Sequence, residues 1–224
     1  MAIREISSYH LGDMLLVFEE ETEFHRVGFY MIPWSMQKDR VLDRKFYRIN
    51  SLAQVKIAGD MYPNCYGNGQ TMRNGESANR MDYKSQKEVA TECGKEIHTY
   101  FEDARGYELE NVITYYHGED SFEMKNIFTN KAEKKVSLEM LSSFEMGDIS
   151  PFLEGIGTDA LLVHRLRSKW SHEGRLVTET VEDLQLEPSW SNWSVGVERF
   201  GQRGSMPVMK YFPFVAVEDS VNHI

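Results

Sequence analysis

Residues 107–115 read YELENVITY. Tyr107, Leu109, Ile113 and Tyr115 share one side of an extended chain; Glu108, Glu110 and Thr114 share the other. Side chains alternate across a strand with a period of two, so the stretch predicts a strand with one buried and one wet face. The same period recurs outward from it. In 122–128, Phe122, Met124 and Phe128 alternate with Glu123 and Lys125. In 136–140, Val136, Leu138 and Met140 alternate with Ser137 and Glu139. Turn residues separate such runs at short intervals: Asn74-Gly75, Cys93-Gly94, Arg105-Gly106, His117-Gly118, Thr129-Asn130 and Glu173-Gly174. Glycine and asparagine supply the backbone that tight hairpins need. Short strands spaced in this way predict an all-β sandwich or barrel with little helix.

The run 159–170, DALLVHRLRSKW, is ambiguous. Leu161, Leu162 and Leu166 fit a helical face, but a short apolar run closed by a turn and lacking a cap favours a strand. Residues 208–217, VMKYFPFVAV, read as an apolar strand, and the acidic turn after it fits either a partner strand farther along or a short natural tail. The segment 59–80 differs from the rest. It is rich in Gly, Asn and polar residues and too long for a hairpin turn. Loops of more than about 12–15 residues in a compact domain are often functional.

Composition narrows the partners. The 224 residues carry a net charge of −10, with 41% hydrophobic and 12% aromatic residues. This is the composition of a globular chain. Lys and Arg are scattered, with no run longer than the pair Lys134-Lys135. An acidic surface repels phosphate backbones, so nucleic acid and anionic membrane are excluded as partners, while neutral sugars are not. No stretch approaches about 18 consecutive apolar residues. The start, MAIREISSYHLGDM, lacks the apolar core of a signal peptide, which predicts a cytoplasmic protein. The two cysteines, Cys65 and Cys93, are expected to be reduced. No histidine pair stands near them at ligand spacing, so neither metal nor cofactor is expected. The 12 methionines suit adaptable packing. Asp and Glu residues are expected on turns and wet strand faces. His164 reads as a satisfied packing residue, and Trp170, Trp190 and Trp193 as core or inter-domain contacts.

Four stretches, in order, resemble the N-terminal region of family 36 glycoside hydrolases, best known as α-galactosidases. GDMYPNCYGNGQTMRNGES looks like the family's Tyr-Pro…Gly…Arg loop, here Tyr62, Pro63, Gly69 and Arg73. LEMLSSFEMGDI at 138–149 is the second. In HRLRSKWSHEGR, Trp170, Glu173 and Arg175 resemble a Trp-x-x-Glu motif. ERFGQRGSMPV running into YFPFVAVED resembles a Gly-x-x-Gly-Ser…Pro stretch. The match covers most of 50–220.

The resemblance implies a large β-supersandwich of two packed antiparallel sheets, similar to galactose mutarotase, forming one N-terminal domain over 1–224. It implies a catalytic (β/α)₈ barrel downstream, absent from this chain, whose two aspartates cleave the glycosidic bond with retention. Such chemistry needs carboxyls about 5–5.5 Å apart, at the C-terminal ends of barrel strands. The family's Lys-Trp-Asp nucleophile motif does not occur here; the nearest text is Lys169-Trp170-Ser171. No catalytic residue is therefore expected in this chain. The family loop reaches a sugar pocket, often in a neighbouring subunit, which implies a homo-oligomer and an α-galactoside oligosaccharide as ligand of the full-length enzyme.

Asp60, Tyr62 and Arg73 are the sugar-contact candidates: a carboxylate to accept from hydroxyls, a ring to stack, and a rigid donor fork. Arg73 has a plainer role open to it, pairing with Glu76 or Asp82. The alternative to the accessory domain is a stand-alone carbohydrate-binding or mutarotase-like module. That chemistry needs a Glu and a His facing one cleft. Glu173 with His172 or His164 are the nearest residues, though sequence neighbours on a strand face opposite ways.

Overall fold

The computed structural model describes residues 3–41, 49–61, 74–153, 157–187, 197–201 and 210–224. They form an all-β protein of packed antiparallel sheets. Helix among them is limited to one 3₁₀ turn, Trp34–Met36, and one α-turn, Glu76–Asn79. The stretch that reads as one domain divides by its internal contacts into two compact units. One comprises Met1–Arg40 with Tyr47–Asp148; the other comprises Val41–Phe46 with Ile149–Ile224.

The first unit opens with a meander of β1 (Ile3–Leu11), β2 (Met14–Glu21) and β3 (Arg26–Pro33). After the short β4 (Val55–Ile57) come four strands in sequential order: β5 (Asp82–Ala90), β6 (Gly94–Asp103), β7 (Tyr107–Tyr116) and β8 (Phe122–Asn130). A ninth strand, β9 (Leu138–Leu141), pairs with β4. Leu16, Phe18, Val27 and Phe29 from the first sheet share one buried cluster with Ile97, Phe101, Leu109 and Ile113 from the second. Two sheets meeting over one apolar layer make a sandwich. Burying each such side chain contributes roughly 1.5–3 kcal/mol. Gly28 lets the chain at 49–52 lie close over β3: a Cβ there would stand 2.2 Å from the Asn50 carbonyl oxygen.

The second unit is a three-stranded antiparallel sheet. Its central strand is β10 (Leu161–Leu166), flanked by β11 (Leu176–Thr180) and β12 (Ala216–Asp219). The ambiguous run at 159–170 thus holds a strand over Leu161–Leu166, with turns at either end. Its successor β12 is shorter than the 208–217 pattern predicts. Pro213 cannot donate to a ladder, and the chain bends there, with Phe214 N donating to Phe212 O at 2.7 Å. After β12 the chain closes on itself: Asp219 N donates to Ile224 O at 2.7 Å.

Three other expectations change. In 136–140, Leu138 is 42% exposed instead of core-facing, because a bulge at Lys56/Ile57 shifts its pairing with β4. The 59–80 segment contains the helical turn Glu76–Asn79. Most informative, Glu19, Glu20 and Glu21 are all buried on the central strand of their sheet, not solvated. Register supplies the countercharges. Arg4 lies opposite Glu20 and donates to Oε2 at 2.8 Å; Arg26 lies opposite Glu21 and donates at 2.8 Å. Buried carboxylates persist only when paired in this way.

Two buried acids, Glu20 and Asp219, make stability depend on pH. Burial alone would raise the Glu20 pKa; hydrogen bonds from Arg4 and His25 outweigh it and hold the group below its ordinary 4.5. Burial likewise opposes, and hydrogen bonds from Ser150, Asn222 and Val221 outweigh it at, Asp219, held below its ordinary 3.8. A depressed carboxyl contributes stability above its unfolded pKa and loses it as pH falls through the folded one. Urea midpoints are therefore expected to be flat near neutrality and to fall as pH drops below about 4.5. Glu20→Gln and Asp219→Asn should each lower the neutral midpoint and flatten the acid limb. An acid limb unchanged in both variants would contradict this assignment.

Candidate functional site

The segment singled out at 59–80 leaves and re-enters the first unit through an anchored base. Gly59, at φ +95°, turns the chain after β4. The turn closes where Asp60 N donates to Ile57 O at 3.0 Å, and the Asp60 carboxylate accepts from Ile57 N at 2.8 Å. Met61 N then donates to Glu76 Oε2 at 3.0 Å, tying the outgoing end to the returning one. At the returning end, Asn74 adopts φ +51°, tolerated by asparagine. Its Oδ1 accepts from Ser51 Oγ at 3.2 Å and from Gln54 Nε2 at 3.3 Å, and its carbonyl accepts from Asn79 Nδ2 at 2.7 Å.

Arg105 sits under this base. It belongs to the β6–β7 hairpin, where Asp103 Oδ1 accepts from Arg105 N at 2.7 Å and Gly106 takes φ +90°. The guanidinium donates to Asp103 Oδ2 through Nε at 2.9 Å and to Ser77 Oγ through Nη2 at 2.9 Å. Nη1 lies 3.6 Å from Asp60 Oδ1, and the group stands 5.0 Å from the Tyr107 ring centroid. The carboxylates it serves are dry: the Asp103 side chain is 1% exposed and that of Asp60 is 5%. Hydrogen bonds to Asp103, with the nearby charges of Asp103 and Asp60, raise the guanidinium pKa above its ordinary value against the effect of burial. One arginine thereby joins the β6–β7 hairpin, the α-turn and the loop exit.

Of the three sequence candidates, Asp60 is placed, and its carboxylate is engaged by Ile57 N and Arg105. Tyr62 and Arg73 lie outside the described residues, as do Pro63, Cys65, Gly69, Trp190 and Trp193. In sequence, Tyr62 follows the anchored Met61 and Arg73 precedes the anchored Asn74. Glu76, one proposed partner of Arg73, already accepts from Met61 N and pairs with Arg80 at 3.1 Å. The residues missed from sequence are Gln54, Asn74, Asp103 and Arg105. The signal was partial: Arg105-Gly106 read only as a turn.

Elsewhere, His164 is bonded on both nitrogens, to Thr178 Oγ1 at 2.8 Å and Glu218 Oε2 at 2.9 Å. Its carboxylate partner is Glu218 and not Glu173. His98 lies between Glu110 at 2.7 Å and Glu96 at 3.1 Å. In both clusters imidazole and carboxylate bond to each other instead of facing across a sugar-sized gap. Cys93 is a free, exposed thiol. Among the described residues no three His, Cys, Asp or Glu converge to hold a metal ion, and no helix is long and apolar enough to cross a membrane. A cavity of ≈ 10 Å³ beside Ser51, Ala78 and Phe101 has room for about one water and none for a sugar. No family model matches this chain, and neither a curated protein nor a solved structure matches it.

Proposed function

We propose that this chain is the non-catalytic N-terminal sandwich of an α-galactosidase-like glycoside hydrolase, presenting the 62–73 segment to the sugar pocket of a catalytic barrel. The observation that carries the reading is the clamped base. The Tyr-Pro…Gly…Arg motif of the resemblance lies between two ends tied by the Met61–Glu76 bond and seated on Arg105. A sugar-contacting loop needs such a mount, because contacts held to within a fraction of an ångström decide recognition. In this reading Asp60 acts by setting the loop's exit, and Tyr62 and Arg73 make the contacts.

The second unit supplies further support. Trp170 is 79% exposed, and Leu176, Phe214 and Val215 are each about half exposed. Apolar side chains left open in this way suit a docking partner, here the enzyme's own barrel. A homo-oligomeric assembly, a cytoplasmic location and a mutarotase-like supersandwich belong to the same proposal. It is supported by four motifs in order and an all-β architecture.

Purified chain incubated with a chromogenic α-galactoside is expected to give no hydrolysis, and turnover surviving removal of contaminating enzyme would overturn the proposal. Acceleration of D-galactose mutarotation would favour the stand-alone module instead. In the enzyme carrying this domain, Arg73→Ala is expected to raise KM by the loss of about 1–3 kcal/mol of charged hydrogen bonding. An unaltered KM would assign Arg73 to holding the loop.

A further inference from the structure

Four polar residues form one line across the inner face of the β5–β8 sheet. Gln86 is the register partner of Thr99, Thr99 of Asn111, and Asn111 of Asn126. Each strand places one member at the same level. The rows on either side are apolar, with Ile97 and Phe101 flanking Thr99 and Leu109 and Ile113 flanking Asn111. Thr99 and Asn111 are both 0% exposed.

The hydrogen bonds along this line run in one direction. Tyr9 Oη donates to Gln86 Oε1 at 3.0 Å, and Ser7 Oγ donates to the same oxygen. Gln86 Nε2 donates to Thr99 Oγ1 at 2.9 Å. Farther along, Asn111 Nδ2 donates to Asn126 Oδ1 at 2.8 Å, and Asn126 Nδ2 donates to the Ser142 carbonyl at 2.8 Å. A backbone carbonyl can only accept, so it fixes which way Asn126 points, and Asn126 fixes Asn111. With its Nδ2 committed to Asn126 on one side, Asn111 has Thr99 as its opposed residue on the other, and its Oδ1 is buried and without a hydrogen-bond partner. Thr99 accepts from Gln86, which leaves its own hydroxyl proton to donate. A donor and an acceptor are thus both left over on opposed residues at the middle of the line.

We propose that one buried water sits between Thr99 Oγ1 and Asn111 Oδ1, accepting from the first and donating to the second. Directly opposed residues on neighbouring strands hold their Cβ atoms about 4.5–5.5 Å apart, which keeps the Thr99 hydroxyl and the Asn111 amide close enough for one water to bond to both. Leaving an amide oxygen dry inside a core is costly, and a water bonded to otherwise unpaired groups is the usual remedy. With it the chain of donors is continuous from Tyr9 to Ser142. Ser142 is itself bonded both ways to the Gln54 backbone, and the Gln54 side chain holds Asn74. The hydrated seam therefore ends at the base of the 62–73 segment. This inference holds whether or not that segment contacts sugar.

A crystal structure of the chain, at a resolution that shows ordered water, tests the proposal. A density peak within hydrogen-bond distance of both Thr99 Oγ1 and Asn111 Oδ1 is expected. The peak should persist in Thr99→Ser and be lost in Thr99→Val. A direct Thr99–Asn111 hydrogen bond with no peak between them, or a peak unaltered in Thr99→Val, would overturn it. Should Thr99→Val fail to fold, the unsubstituted protein alone decides.

Discussion

Replacing Arg105 by alanine is expected to lower stability by about 3–5 kcal/mol, the cost of leaving buried carboxylates without their cation. The large value follows from what is left behind. Asp103 and Asp60 are 1% and 5% exposed, so water cannot readily replace the guanidinium. Ser77, fully buried, loses its donor as well. Arg105→Lys keeps the charge but not the planar fork, and is expected to recover only part of the loss. Urea unfolding followed by circular dichroism reads both. The same variant should speed amide exchange at Met61 and Asn74, since the hairpin no longer supports the loop base. A loss below about 1 kcal/mol, the scale of a surface pair, would show that Arg105 is not the hub described.

Arg165 has the corresponding place in the second unit, and Arg165→Ala is expected to cost about 3 kcal/mol. Its side chain is 2% exposed. It donates to Glu198 at 2.7 Å, pairs with Glu179, and stands 4.2 Å from the Tyr211 ring centroid and 5.3 Å from that of Phe200. Cation–π contact to desolvated rings adds to the ion pairs. The lower figure reflects its acceptors: Glu179 and Glu198 are 31% and 34% exposed and can be rewetted when the arginine is removed. Arg165→Met keeps volume against the rings and should cost less than Arg165→Ala. Equal losses in the two variants would contradict a role for packing at this position.

These two arginines show where sequence reading stops. Alternation at 107–115 is a local signal, because the period of a strand is written in consecutive residues. The sheets, the hairpins and the core around Leu109 and Ile113 were therefore legible. Cross-strand partners are not local. Glu19-Glu20-Glu21 reads as a wet acidic run, yet it is buried, and register brings Arg4 opposite Glu20 and Arg26 opposite Glu21. Asn111 breaks the apolar face of β7 and passes for noise until Thr99 and Asn126 are seen beside it. The site shows the same limit. The 59–80 segment stood out by composition alone. Asp60 reads as a sugar ligand because a carboxylate accepts from hydroxyls and the loop after it resembles a family loop; in space its neighbour is Arg105, 45 positions later and invisible to any local pattern.

The central claim is that these two β units serve a glycosidase. It is tested most directly on the natural polypeptide, captured from its source with an antibody raised against residues 1–224 and assayed with p-nitrophenyl α-D-galactopyranoside. The account predicts hydrolysis in the captured material, releasing galactose first as the α-anomer, and none from the 224-residue chain itself. Captured polypeptide that leaves the α-galactoside intact would contradict it.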